Sequence, residues 1–316
     1  MTHRLWVYLV AIVVLLGAVV FSPSGGGYLW LRTLHDFAHG PIFGAVAIIT
    51  LMGCRNLAWC AHRPVGSQYL FAFILAVTLG ALSELAQIVS NRDPTWTDLA
   101  MDVLGAATFL LVFAAFDQKI ISNKKGAKRL LALAAIVALA VLVSPLISTA
   151  LAYTTKSRAF PIIVDFSRDV GAEFLTTRLV STRIETLPEP LSGITERAMY
   201  IQFQPGRWQG IDMREAPRNW LGFRALVLDV ANPTEEELKI VLRIDDRGYN
   251  GPYHDRYNGR FDISPRSRSI LRIPLTEIES APQGRSFNLS NITRVLLFRQ
   301  HESKASAMYL VGMRLE

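Results

Sequence analysis

Cysteine is almost absent from this chain, which has two cysteines in 316 residues. Both of them, Cys54 and Cys60, lie near one end of an apolar run, and the sequence after Cys60 contains none. A metal site built from thiolates is therefore excluded, because it takes several ligands from cysteine. The topology argued below places both cysteines in a reducing compartment, where we expect no disulfide between them. The C-terminal half must then be held together by its hydrophobic core alone.

Long apolar runs are absent after Tyr153 but abundant before it, and the whole chain is 51% hydrophobic with a mean hydropathy of +0.27. A membrane-spanning helix needs about 17 to 25 mostly apolar residues. About five runs reach that length, at 5–21, 41–58, 69–89, 99–116 and 130–152. The first run also has the length of a signal peptide, but VVFSPS is a poor cleavage site, which favours a retained helix. The sequence thus predicts an all-α membrane bundle.

The basic residues are unevenly distributed, although the net charge is +7 and the pI is near 9.6. They follow the second and fourth apolar runs, at Arg55, His62, Arg63, Lys119, Lys124, Lys125, Lys128 and Arg129. Connections rich in lysine and arginine stay in the cytoplasm. This predicts a multi-pass membrane protein with a cytoplasmic N-terminus and an extracytoplasmic C-terminal domain. Membrane topology explains the basic charge, so no nucleic-acid partner is expected.

A polar stretch, SELAQIVSNRDPTWTDLAMDVLGA, separates the third and fourth apolar runs. Helical residues three and four apart share a face, so Glu84, Gln87 and Asn91 form one stripe. Ionisable groups in membrane helices usually face the interior of the bundle or a cavity. We therefore expect a polar pocket that opens outward, formed by residues that include Glu84, Gln87, Arg92, Asp98 and Asp102.

The start of the fourth run carries a capping signal. Thr95 is expected to cap the helix, with Asp98 reaching back to the backbone. Asp98, Asp102 and Gly105 share a face, and Gly105 allows another helix to approach closely. In the simpler alternative, Asp98 is only a cap, Arg92 is an interfacial charge, and Glu84 is the partner of Arg92.

The string HDFAH, before the second run, places His35 and His39 on one helical face. It differs from the zinc-binding HExxH by aspartate in place of glutamate. His35, His39 and Glu84 are therefore weak metal candidates, but no third ligand is fixed by spacing. Interfacial histidines hydrogen-bonded to carboxylates are the favoured alternative, and we predict neither metal nor cofactor.

These polar residues together resemble the VanZ-like family of small membrane proteins. The matching positions are His39, Glu84, Gln87, Arg92, Asp98 and Gly105. The chain departs from the family pattern by having Asp102 in place of asparagine and His35-Asp36 in place of Asp-Lys. The resemblance covers about residues 5–116. It implies a role in the bacterial cell envelope, at the inner membrane, since the family is named after an accessory protein of glycopeptide antibiotic resistance.

The sequence after Ala152 alternates apolar and polar residues in short segments, such as FRALVLDVANP, LKIVLRIDDRG and AMYLVGMRLE. Period-two alternation with breaks every eight to twelve residues predicts an all-β sandwich or jelly roll. The pattern is similar to the galactose-binding-like jelly rolls of carbohydrate-binding modules. The predicted divisions are a VanZ-like bundle at 1–118, a basic loop and fifth helix at 119–155, and the external sandwich at 156–316.

A polar, aromatic loop of the external part, residues 245–258, is here called the tyrosine-rich loop. Its composition is suited to binding carbohydrate. Aromatic rings stack on sugar faces while carboxylates and amides bind hydroxyl groups. The candidate ligand contacts are Asp246, Tyr249, Tyr253 and Tyr257 of the loop, with Trp208 and Trp220 as further platforms. In the alternative, the three tyrosines close the edge of the sandwich. No nucleophile elbow, glycine-rich phosphate loop or His-carboxylate metal spacing occurs in this part.

Two classes of function therefore stay open. In the favoured one, the bundle binds a lipid headgroup or lipid-linked precursor, and the external domain binds an envelope glycan or polysaccharide. In the other, the protein is a membrane hydrolase or transferase that acts on a lipid-linked sugar phosphate. The candidate catalytic residues are then His39, Glu84, Arg92, Asp98 and Asp102. The sequence leaves the oligomeric state open.

Overall fold

A computed structural model describes residues 3–21, 27–89, 95–121, 125–192, 196–302 and 306–316. Contacts within it divide the chain into two compact units. The first, here called the helical unit, comprises Met1–Gly26 and Trp30–Thr149. The second, called the β unit, comprises Gly27–Leu29 and Ala150–Glu316.

Seven helices precede the first strand in the described part of the chain. They are α1 (His3–Val20), α2 (Leu29–Asn56), α3 (Ala58–Ala61), α4 (Val65–Val89), α5 (Trp96–Phe116), α6 (Gln118–Ile121) and α7 (Lys125–Ala159). By length and composition, five of them (α1, α2, α4, α5 and α7) are able to cross a membrane. These five contain the five apolar runs found in the sequence.

Two helices extend beyond the apolar runs that were predicted from the sequence. Helix α2 begins at Leu29, so Pro41 lies inside it rather than at its start, and so does HDFAH. Helix α7 continues past Pro145 to Ala159. Hydropathy marks only the apolar part of a helix, whereas the hydrogen-bonded spiral also includes its polar ends. Proline is tolerated within apolar helices when neighbouring groups satisfy the freed backbone.

The expectation of no disulfide was wrong for this structure, which joins Cys54 and Cys60. The short helix α3 turns the chain directly after α2. This turn brings the two Cα atoms to 5.3 Å, within the range of disulfide-bonded pairs. The spacing permits the bond, whereas the redox state of the compartment decides whether the two thiols are oxidised.

Gly105 of α5 makes the close helix contact expected of it. A Cβ atom at Gly105 would overlap the backbone of Gly40 in α2. Two backbones at this distance leave no room for a side chain, and small residues are what permit such crossings. The contact holds α2 and α5 together beside their polar residues.

The β unit contains eleven strands in the described residues. They are β1 (Ile162–Asp165), β2 (Leu175–Arg178), β3 (Val180–Thr186), β4 (Arg197–Phe203), β5 (Gly206–Met213), β6 (Ala225–Asn232), β7 (Leu238–Asp246), β8 (Tyr257–Ile263), β9 (Ser267–Pro274), β10 (Ile292–Glu302) and β11 (Ser306–Leu315). The short helix α8 (Leu275–Glu279) follows β9. The predicted all-β fold is confirmed.

The strands form two antiparallel sheets. One has the order β3-β4-β11-β6-β9 with β1 paired to β11, and the other has the order β2-β5-β10-β7-β8. Alternate residues of both sheets, such as Ile211 and Leu297 of the five-stranded sheet and Leu228 and Leu310 of the other, fill a core between the sheets. Period-two alternation requires that the intervening residues lie on the opposite, outer faces.

Candidate functional site

The outer face of the five-stranded sheet carries a row of side chains across all five strands. Antiparallel register aligns Thr176 with Asp212, Asp212 with Leu296, Leu296 with Arg243, and Arg243 with Asn258. The strand neighbours of this row, such as Ile211 and Leu297, point into the core. The row therefore faces away from the core, and its members lie within reach of a ligand on that face.

A groove of about 610 Å³ follows this face. Its polar lining is dominated by five arginines, against a single aspartate, Asp212. The arginines are Arg178, Arg214, Arg243, Arg256 and Arg294. A groove with this excess of positive charge attracts anions and disfavours cations.

Two arginines of the groove are held in fixed orientations by aspartates. Arg294 donates from Nε and Nη2 to the two carboxylate oxygens of Asp212, at 2.8 and 2.6 Å. Arg243 binds Asp245 in the same way, at 2.7 and 2.6 Å. The hydrogen bonds to Asp212 raise the pKa of Arg294 further above its ordinary value. Bidentate pairs of this kind orient the guanidinium plane and leave its remaining donors available.

An aromatic surface lies at one end of the groove. Trp208 is 45% exposed, and its ring centroid lies 5.3 Å from that of Phe298. The backbone of Trp208 has a φ of 62°, in the left-handed region that is unfavourable for side-chain-bearing residues. Strain of this kind tends to occur at ligand-binding positions. Trp208 is therefore the residue of the predicted set best placed for stacking on a ligand.

The tyrosine-rich loop contributes only part of what the sequence predicted. Tyr253 is 50% exposed, and the Arg256 guanidinium lies 5.3 Å from its ring centroid. The hydroxyl of Tyr249 accepts from Arg256 Nη1 at 2.9 Å and donates to the carbonyl of Gly251. Tyr253 is thus accessible beside the groove, whereas Tyr249 positions Arg256.

Three predicted sugar contacts are structural instead. Trp220 has no exposed surface and donates from Nε1 to the carbonyl of Pro217 at 2.7 Å. Tyr257 is buried and donates to Glu277, and burial together with this carboxylate raises its pKa. Asp246 is buried in an ion pair with Arg285. The sequence interpretation was wrong for these residues because composition does not show which side of a strand or loop is buried.

Arg285 anchors the tyrosine-rich loop by bridging two aspartates. Its guanidinium binds Asp246 at 2.7 and 2.8 Å and Asp255 at 2.5 Å. Asp255 also accepts from the backbone of Asn250 at 3.0 Å. The hydrogen bond from Arg285 lowers the pKa of Asp255 below its ordinary value. The loop that carries Tyr253 therefore depends on an ionised Asp255.

This lowered pKa predicts a pH dependence. The pKa of aspartate in an unfolded chain is about 3.9. Because the pKa of Asp255 is lower in the folded protein, its ionised form stabilises the β unit above that pH. The contribution disappears as the pH falls through the lower folded-state pKa. We expect the difference in Tm between the wild type and Asp255→Asn to be largest above pH 5 and to shrink below pH 4. A difference that stays constant between pH 2.5 and pH 6 would contradict this role.

Most groove residues were not predicted from the sequence, for which the predicted ligand contacts were mainly aromatic residues of a loop. The missed positions are Arg178, Asp212, Arg214, Arg243, Arg256, Arg294 and Phe298. A usable signal was present, since charged residues alternate with inward apolar residues in GIDMR and LRID. That alternation places several charges on one outer face.

A second polar cluster lies within the helical unit, where His39 of α2, Glu84 of α4 and Asp102 of α5 converge. One ligand-type atom from each residue lies within 4.8 Å of the others. His39 Nδ1 is 3.0 Å from Asp102 Oδ1. The three side chains are almost fully buried, with exposures of 2%, 5% and 0%. The structure therefore brings together three of the five predicted catalytic candidates.

Neighbouring backbone positions shape this cluster. A Cβ atom at Gly80 would lie 2.7 Å from Asp102 Oδ2, so only glycine leaves room for the carboxylate beside α4. Thr95 caps α5 as predicted, because its hydroxyl accepts from the backbone of Asp98 at 3.0 Å. The backbone of Thr95 donates to Glu84 at 3.1 Å. Glu84 therefore accepts the hydrogen bond from the backbone N–H of Thr95 that the sequence analysis had predicted for Asp98.

The other candidates of the helical unit have different positions. Asp98 and Gln87 are both buried. Arg92 lies outside the described residues. His35 is not part of the cluster of His39, Glu84 and Asp102, although its ring centroid is 5.7 Å from that of His39. The weak metal set of the sequence analysis is thus changed by one member, with Asp102 in place of His35.

The chain is similar to solved structures of carbohydrate-active proteins. An exo-β-agarase has 15% identity over 49% of this chain, with a TM-score of 0.41. A family 11 carbohydrate-binding module from Clostridium thermocellum, solved with a β-1,3-1,4-mixed-linked tetrasaccharide, has 14% identity over 49% of this chain and 93% of its own, with a TM-score of 0.37. A xylan-binding domain from Paenibacillus barcinonensis has 13% identity over 49% and 94%, with a TM-score of 0.31.

These similarities concern the fold. The β-sandwich resembles those of carbohydrate-binding modules. The chain spans about a quarter of the length of the two agarases that it matches, at 25% and 24%. No family model matches the sequence, and no curated protein is significantly similar to it. The resemblance to the VanZ-like family therefore stays a prediction.

Proposed function

We propose that the outer face of the five-stranded sheet binds an acidic polysaccharide. The observation that carries this proposal is the groove in which five arginines lie beside the exposed ring of Trp208. An aromatic ring takes the apolar face of a sugar ring. Guanidinium groups bind carboxylates and sulfates through paired hydrogen bonds. Both requirements of an acidic glycan are met on one face.

The charge of the groove favours an acidic glycan over a neutral one. Asp245 makes a bidentate contact with Arg243, and Asp212 contacts both Arg294 and Arg214. Five arginines thus stand against two carboxylates, and the groove keeps an excess of positive charge. Neutral sugars are bound through hydroxyl groups, for which carboxylates and amides are better partners than an excess of arginine. The groove is lined by residues of four neighbouring strands, β2, β5, β10 and β7, and by Arg256 directly before β8, which suits a ligand with several sugar units.

Trp208→Ala tests the proposal at the stacking surface. We expect the substitution to weaken binding to the preferred acidic polysaccharide about tenfold or more, as removal of an aromatic anchor does at other interfaces. Binding is measured with the full-length protein in detergent, by affinity electrophoresis against uronate-containing, sulfated and neutral polysaccharides and peptidoglycan. Leu221→Ala, at another exposed apolar residue of the β unit, serves as the control. Unchanged affinity of the Trp208 variant would remove the groove from consideration.

We place the β unit on the outside of a bacterial inner membrane, with the helical unit spanning it. The support consists of the five apolar helices and the basic residues that follow two of them. The buried polar cluster of the helical unit suits a lipid headgroup or a lipid-linked precursor. A reporter fused after Glu316 that is active only in the periplasm checks the sidedness, and activity of a cytoplasmic reporter at that position would reverse it. The absence of a matching family model leaves glycopeptide resistance without support.

A further inference from the structure

We propose that His39, Glu84 and Asp102 form a binding site for a divalent transition metal of the zinc type. The inference is independent of glycan binding, since all three residues belong to the helical unit. Each comes from a different helix, and one ligand-type atom of each lies within 4.8 Å of the other two. Three helices thus bring one imidazole and two carboxylates to a single point.

The separations suit shared coordination. Two ligand atoms on a tetrahedral zinc lie about 3.4 Å apart, given bonds of about 2.1 Å. His39 Nδ1 and Asp102 Oδ1 are 3.0 Å apart, so a metal ion requires only a small adjustment of these two side chains. Gly80 makes room for the Asp102 carboxylate on the side of α4.

One oxygen of each carboxylate lacks a hydrogen-bond partner among the described residues. Glu84 Oε1 and Asp102 Oδ2 accept no hydrogen bond from the described residues. Among the described residues, no lysine or arginine forms an ion pair with Glu84 or Asp102. Two buried carboxylates at one point are unfavourable without a compensating positive charge. A bound divalent cation supplies that charge, with Glu84 coordinating through Oε1 and Asp102 through one or both of its oxygens.

The donor set identifies the class of ion. Imidazole nitrogen and carboxylate oxygen suit zinc and neighbouring transition metals, whereas calcium and magnesium prefer oxygen alone. Three protein ligands leave one position of a tetrahedral site for an exchangeable ligand, such as water or a phosphate oxygen. The backbone N–H of Thr95, bound to Glu84 Oε2 at 3.1 Å, fixes the carboxylate from the second side.

Metal binding by the full-length protein in detergent tests the site. The protein is prepared without a histidine tag, and EDTA removes any bound metal. It is then titrated with Zn²⁺, and separately with Co²⁺ as a spectroscopic probe. We expect one equivalent of Zn²⁺ by elemental analysis, visible Co²⁺ absorption typical of a four-coordinate site, and a higher Tm with Zn²⁺. A wild-type protein that retains no metal would overturn the proposal.

Near-isosteric variants assign the ligands. Asp102→Asn and Glu84→Gln preserve side-chain shape, and each is expected to lower the affinity for Zn²⁺ by more than about tenfold. His35→Gln is the matched control, because it removes an imidazole from the same helix and leaves the three ligands in place. Folding of each variant is checked by size-exclusion chromatography and by its Tm in EDTA. Loss of zinc in His35→Gln, or full retention in folded Asp102→Asn, would contradict the assignment.

Discussion

Replacing Trp220 by alanine is expected to lower the free energy of unfolding of the β unit by about 4 kcal/mol. Trp220 is fully buried and packs in the core between the two sheets. Its indole N–H donates to the carbonyl of Pro217, and its backbone N–H donates to the carbonyl of Leu289. The substitution removes a large apolar volume and leaves a carbonyl unpaired, and both changes are costly.

Hydrogen exchange measures this change within the β unit alone. In the full-length protein, exchange of peptides from β11 at increasing urea concentration gives the free energy of opening. Trp208→Ala is the matched control, since this tryptophan is 45% exposed, and its loss is expected to change the stability by less than about 1 kcal/mol. Equal effects of the two substitutions would contradict the assignment of Trp220 to the core and Trp208 to the groove.

Replacing Arg285 by alanine is expected to destabilise the β unit by about 3 kcal/mol. Arg285 pairs with Asp246, whose side chain is fully buried, and with Asp255. Without the guanidinium, Asp246 keeps only the hydrogen bond from the backbone of Asn288, at 2.6 Å. An unpaired buried carboxylate is much less favourable than an exposed one.

Arg266→Ala provides the control for Arg285→Ala. Arg266 pairs with Glu235, but the two side chains are 67% and 69% exposed. Exposed ion pairs contribute at most about 1 kcal/mol. Thermal unfolding of the two variants should therefore differ clearly, with a large drop in Tm only for Arg285→Ala. The tyrosine-rich loop should also exchange its amide hydrogens faster in that variant.

The sequence predicted the architecture well where the pattern was long. Five apolar runs became five long apolar helices, and the alternating segments from Phe223 onward became strands β6 to β11. The strands between Ile162 and Met213 were not predicted one by one, because two of them have only four residues. Strands this short carry too few alternations to be recognised.

The residues of the helical cluster were among those predicted from the sequence, whereas most groove residues were not. Two rules predicted His39, Glu84 and Asp102: residues three or four apart share a helical face, and charged groups in a membrane helix face the interior of the bundle. Both rules can be applied to one helix at a time. The groove joins residues of β2, β5, β7 and β10 and the residue before β8, and the order of these strands in the sheet differs from their order in the chain. Sheet order and register are products of tertiary packing. For this reason the sequence predicted the loop tyrosines as ligand contacts and missed Arg243, Arg256 and Arg294.

The role of charge in the groove is tested most directly by pairs of polysaccharides that differ in charge alone. The uronic-acid polymers polygalacturonate, alginate and hyaluronan are each compared with their methyl esters, using the full-length protein in detergent. We expect at least one free acid to bind, with its ester at least about tenfold weaker and with affinity that falls as salt increases. Equal affinity for acid and ester would contradict an acidic polysaccharide as the ligand of the β unit. No binding to any member of the three pairs would exclude these uronic-acid polymers as its ligand.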